Sequence, residues 1–197
     1  MNINDLLNST AGQEIVANIS RQFGLDQSQA TSAVQAALPM ILGGMGRNAQ
    51  NEQGAASLNH ALSQHDPAVL DNVQGFFGNA ASVQNEGTKI LGHIFGDKVN
   101  TVENGVAQSS GISMDKIGPI IAMLAPLVMS YLNQQKQSNN VTQSGGLGDL
   151  IGGLAGSMGG GNNTSRGGGL IGMVTGFLDK DKDGSVIDDI MGMFGKK

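Results

Sequence analysis

Apolar residues recur along the first two thirds of the chain at the spacing of helices that bury one face. Ile3, Leu6 and Leu7, then Ile15 and Ile19, form the first such stripe, and Gly24 ends it as the residue just past a helix. Asp26 opens a second helix with Gln29 three positions on, the arrangement of a capping box. Ala30, Ala33, Val34, Ala37, Leu38 and Ile41 are its apolar positions, and Pro39 is expected to kink or stop it. A polar break at 51–54 precedes a short predicted helix over 55–64. Asp66 and Pro67 open the next as cap and first-turn proline, with Leu70, Val73, Phe76 and Phe77 on its apolar face. Ile90, Leu91, Ile94 and Phe95 mark a further helix over 87–96. The longest apolar stretch, Ile117 to Leu132, holds two prolines and is shorter than the roughly 20 residues that cross a bilayer. It reads as a buried core helix rather than a membrane hairpin.

A pattern of helix, glycine stop, apolar residue, cap, long apolar helix and proline recurs at a shift of 87 positions, taking Gly24 to Gly111. Leu25 meets Ile112, Asp26 meets Ser113, Val34 meets Ile121, and Pro39 meets Pro126. Few of the paired residues are identical. Internal duplication and two hairpins obeying the same capping rules both fit this pattern.

From Gln137 the composition shifts to Gly, Ser and Asn, as in a flexible linker. Within it Leu147, Leu150, Ile151 and Leu154 keep helical spacing, giving a short amphipathic segment that needs a surface to dock on. The end of the chain reads as helix–loop–helix. Leu170, Ile171, Val174, Phe177 and Leu178 lead in, and Val186, Ile187, Ile190, Met191 and Phe194 lead out. The expected fold is therefore all-α: a compact bundle over 1–136, a Gly-rich linker over 137–169, and a helix–loop–helix over 170–197 with an EF-hand-like acidic loop.

Composition narrows the function. Hydrophobic residues are 39% but aromatics only 4%, so the core is built from small aliphatics suited to close helix packing. The net charge of -5, with 11 scattered Lys and Arg, lacks the concentrated positive charge of a nucleic-acid or anionic-lipid surface. Cysteine is absent, which removes disulfides and thiol chemistry. The beginning, MNINDLLNSTAG, has neither a basic segment nor a long apolar run, so a cytoplasmic location is expected, with a non-classical export route left open.

The most specific chemistry lies in the loop DKDKDGSVIDD. Calcium takes six to eight oxygens, and carboxylates at alternate positions of a tight turn point to a common centre. Asp179, Asp181 and Asp183 fill positions 1, 3 and 5 of an EF-hand loop, Gly184 fills 6, and Ser185 offers its carbonyl from 7. The expected bidentate Glu at position 12 is instead Ile190. Only a loop shortened by one residue brings Asp189 to the ion. Such a site is expected to be weak, about 10⁻⁴ to 10⁻³ M. Ser185 and Asp188 also form S-x-x-D, a capping box for the last helix, and the two roles are compatible.

Other constellations are thinner. His60 and His65 are five apart on a predicted helix and so diverge, whereas zinc ligands prefer a spacing of three or four. No G-x-S-x-G is present, and the glycines of GGMG match no phosphate loop. The ten methionines sit mostly at core spacing.

The succession of NDLL, AVQAALPMILGGM, GHIFG, PIIAMLAPLVMSYL, GGLGDLIGGL and the aspartate-rich end resembles the bacterial domain of unknown function 937 family, the YidB-like proteins. The resemblance implies an all-helical domain and supplies no catalytic residues. The reading reached is a non-catalytic binding or scaffold protein, with calcium as its candidate ion and a protein partner or self-association expected. Its rivals are an enzyme using His60 or His93 with a carboxylate in a cleft of the bundle, and a membrane-surface protein using its amphipathic segments.

Overall fold

The computed structural model describes residues 7–141 and 145–158. All regular structure among them is helical: α1 (Thr10–Phe23), α2 (Gln27–Asn48), α3 (Glu52–Ser63), α4 (Val73–Phe77), α5 (Ala80–Phe95), α6 (Val99–Ser110), α7 (Met114–Ser138) and α8 (Gly145–Met158), with 3-10 turns at Pro67–Asp71 and Gly96–Lys98. The two longest helices, α2 and α7, pack on each other in the middle. Helices α1, α6 and α8 lie mainly against α2, while α3 and α5 lie against α7.

Short polar side chains set the helix starts. Ser9 accepts from the Gly12 amide and caps α1 at Thr10, while Leu7 and Asn8 before it are also helical. Asp26 and Gln29 complete the expected capping box of α2, and the Ser28 hydroxyl adds a 2.6 Å bond to Asp26. Asn51 receives the Gly54 amide at 2.7 Å, which starts α3 at Glu52. The run after Pro67 is not one helix. Asn72 leaves helical geometry at φ -137 and caps a new, short α4 through the Gly75 amide, so the run splits into a 3-10 turn and α4. The stripe over 87–96 belongs to the longer α5.

Gly24 and Gly111 end α1 and α6 in left-handed geometry, at φ 60 and 69, as expected of residues just past a helix. The caps that follow differ. Asp26 closes a capping box, whereas Ser113 makes no side-chain cap bond to its helix, and its hydroxyl instead supports the Asp115 carboxylate.

The prolines do not stop their helices. Pro39 lies inside α2, and Pro119 and Pro126 inside α7. Pro126 has no N–H to give the Ala122 carbonyl one turn back. At that carbonyl α5 makes its closest approach, because a Cβ on Gly87 would overlap the Ala122 oxygen. The proline's missing bond and the glycine's missing side chain thus coincide at the most extensive helix pairing, α5 on α7.

Helix α7 is long and apolar enough to cross a membrane, with a mean hydropathy of 1.3, yet 83% of that window is buried inside the body. Every residue from Ile120 to Asn133 is buried, because helices surround α7 on all sides. Its buried polar residues include Asn133, whose side-chain amide donates to the His65 carbonyl at 2.9 Å and ties the segment after α3 to the centre.

The amphipathic segment beyond α7 docks on the body as α8. Leu147, Ile151 and Leu154 are buried against the core. The glycines of GGMG serve this packing. Gly44 makes room for Ile94 and Phe95, and Gly46 lets Ile151 approach α2 on another side.

Candidate functional site

The C-terminal end of α2 meets the start of α3, the end of α5 and the start of α6 at a surface groove in two parts. The smaller part has a volume of about 280 Å3 and is lined by Met40, Gly44, Arg47, Asn51, Phe95, Lys98, Thr101 and Val102. The larger, about 410 Å3, lies between α3 and α5 and is lined by Ser57, Leu58, Ala61, His65, Ile90, His93 and Met129. Asn48 and Ile94 line both parts. The Asn48 side-chain amide donates to the Ile94 carbonyl at 3.3 Å, so a hydrogen bond joins the two residues that both parts share.

Local structure explains the placement. Met40, Gly44 and Arg47 are spaced four and three apart, so they share one face of α2. Asn51 is held by its capping bond through Oδ1, which leaves its NH2 group free to face the groove. Lys98 precedes α6 without capping it, and Thr101 lies in the first turn of that helix. Among the described residues, no Asp or Glu lines either part of the groove. The only ion pair among the described residues joins His65 and Glu86, so Arg47 and Lys98 have no ionic partner there.

That ion pair borders a neighbouring cavity of about 310 Å3 lined by Asp66, Ser82, Glu86, Ser130 and others. His65 lies beyond the end of α3 rather than on it. Its Nδ1 is 2.8 Å from the Ala61 carbonyl, which only accepts, so Nδ1 carries the proton. Its Nε2 is 3.2 Å from Glu86 Oε1 but off the direction a hydrogen bond requires, so the contact is an ion pair only where the ring carries both protons. The two histidines weighed for catalysis fall elsewhere. His60 is exposed on α3, where it meets Gln64, and His93 is exposed on α5 at the rim of the larger part. No cluster of His, Asp or Glu that could hold a metal occurs among the described residues.

The aspartate loop, with Asp179, Asp181, Asp183, Ser185 and Asp189, lies outside the described residues. Sequence reasoning missed the groove's own polar residues. Arg47 and Lys98 belong to separate helical units, and only the fold brings them together. The one local trace was the stripe of Met40, Gly44 and Arg47.

The architecture defines the class first: a compact all-helical body with a surface groove where four helix ends meet. The chain belongs to the bacterial DUF937 family, described as a bacterial protein of unknown function, whose match covers residues 5–135. Helix α8 and the aspartate-rich end lie beyond the matched residues, so the resemblance holds over less of the chain than the succession of motifs suggested. Comparison with curated proteins and with solved structures finds no significant match.

Proposed function

We propose that this chain is a non-catalytic binding protein whose helical body takes a compact, partly apolar ligand in the groove between α3 and α5. The observation that carries the reading is the larger part of the groove. Its volume of about 410 Å3 falls in the range of small-molecule sites, and its walls are mainly aliphatic with a few polar groups. The neighbouring ion pair supports a binding rather than a catalytic role. With His65 Nδ1 held by a backbone carbonyl and Nε2 facing a carboxylate, the ring acts as a strut between the end of α3 and α5. A general base would instead aim Nε2 at a hydroxyl.

In the same proposal the aspartate-rich end binds calcium weakly and engages a protein partner or a second copy through its apolar positions. The location is taken as cytoplasmic.

The groove is tested by titrating the full chain with 1-octanol and following methyl resonances by two-dimensional NMR. Saturable shifts at Leu58, Ile90, Ile94 and Met129 are expected. Shifts spread evenly over the surface, or none, refute the groove as a binding site.

A further inference from the structure

Resting on that reading, we infer that the smaller part of the groove is an anion subsite, and that the ligand class is an amphipathic anion, a carboxylate or phosphate ester on an apolar body. Its charged head is held by Arg47 and Lys98, and its body lies across the Asn48–Ile94 bridge into the larger part.

The charge distribution carries the inference. The chain has 16 acidic and 11 basic residues, yet among the described residues this cavity is lined by two cations and no carboxylate. Neither cation has an ionic partner among the described residues. The nearest acidic neighbours in sequence, Glu52 beside Asn51 and Asp97 beside Lys98, do not line it. No Lys or Arg forms an ion pair among the described residues, so what sets these two apart is that both line one concavity that no described carboxylate lines, which leaves a local positive field there.

Neutral donors reinforce the field. Asn51 lines the cavity with its Oδ1 engaged by the Gly54 amide, so the hydrogen-bonding capacity it has left is that of its NH2 donors. Thr101 adds a hydroxyl, and the positive end of α6, a helix of 12 residues without a side-chain cap, opens beside it. Arg47 offers a planar fork suited to two oxygens, and Lys98 a point charge. The remaining walls, Met40, Phe95 and Val102, are apolar, so a fully hydrated ion such as free phosphate would leave them unused.

The test compares octanoate, octyl phosphate, 1-octanol and inorganic phosphate on the full chain by the same NMR titration. Octanoate or octyl phosphate should bind about tenfold tighter than octanol, as expected for one charge-assisted contact. The advantage should shrink as salt is raised. It should vanish in Arg47→Gln/Lys98→Gln and persist in Arg21→Gln, an exposed cation on α1, which lines neither part of the groove. Which of the two anions binds tighter distinguishes a carboxylate from a phosphate ester. Equal binding of octanol and octanoate overturns the anion subsite while leaving the groove intact. Binding of inorganic phosphate as tight as octyl phosphate overturns the amphipathic ligand. If no probe shifts the groove, both readings fall. Should the double variant lose its dispersed spectrum, the salt dependence of octanoate binding to the unmodified chain decides the question.

Discussion

Single residues carry much of the geometry through what they lack. Gly24 and Gly111 hold left-handed φ values, and a Cβ on either would meet nothing within 4 Å. The cost of replacing them is therefore backbone strain alone. Gly24→Ala and Gly111→Ala are each expected to lower unfolding free energy by about 1 kcal/mol in urea denaturation. Asparagine at the same positions should cost less, because it tolerates this conformation. Equal losses for Ala and Asn would point to something other than φ. Glu103 makes the second prediction at this scale. Burial beside Gly118 and α7 pushes its carboxyl above the ordinary value. Below the ordinary pKa both folded and unfolded chains carry the proton, and no penalty exists. As pH rises through the raised folded value, the folded state loses this advantage and stability falls to a plateau. The urea midpoint should thus decline as pH rises above the ordinary carboxylate range, and the decline should be smaller in Glu103→Gln. An identical pH profile in that variant would show that burial of this carboxyl is without consequence.

At the level of helices, the sequence was legible where local rules act alone. The capping box at Asp26, the stops at Gly24 and Gly111, and the buried face of α2 were all readable, because each depends on residues within one turn. The prolines do not end their helices. Pro39 and Pro126 lie inside continuous helices, since packing on neighbours outweighs the cost of a missing bond. The groove was not legible, because Arg47, Asn51 and Lys98 become neighbours only when α2, α3 and α6 are assembled. Helix α8 shows the same competition at its margin. Six of its 14 residues are glycine, each costing about 1 kcal/mol relative to alanine. The burial of Leu147, Ile151 and Leu154, about 1.5–3 kcal/mol each, is of the same size. Such a helix exists only while docked and should detach as a unit. Ile151→Asp is expected to speed amide exchange in α8 by roughly ten- to hundredfold while protection in α7 stays unchanged. Loss of protection throughout the body would instead make α8 part of the cooperative core.

The whole molecule combines a closed helical body with a continuation that carries a different chemistry. The body's acidic groups are dispersed, whereas five aspartates fall within eleven positions from Asp179 to Asp189. This contrast shapes the calcium experiment. A chain of net charge -5 gathers divalent cations over its whole surface, so heat on adding calcium is not by itself a sign of a site. A converging loop differs from a diffuse field in three ways. Its binding saturates, at about 10⁻⁴ to 10⁻³ M for a loop lacking the bidentate ligand. It discriminates against magnesium, which demands a tighter octahedral shell and gives up water reluctantly. And it depends on particular carboxylates. Calorimetry on the full chain at moderate salt should therefore give a saturable calcium isotherm that magnesium does not reproduce. Asp181→Ala should abolish it, because that residue supplies the middle of three alternating ligands. Asp71→Ala, which removes the same charge from the body, should leave it intact. If the two variants behave alike, the aspartates act only as charge, and the calcium site falls.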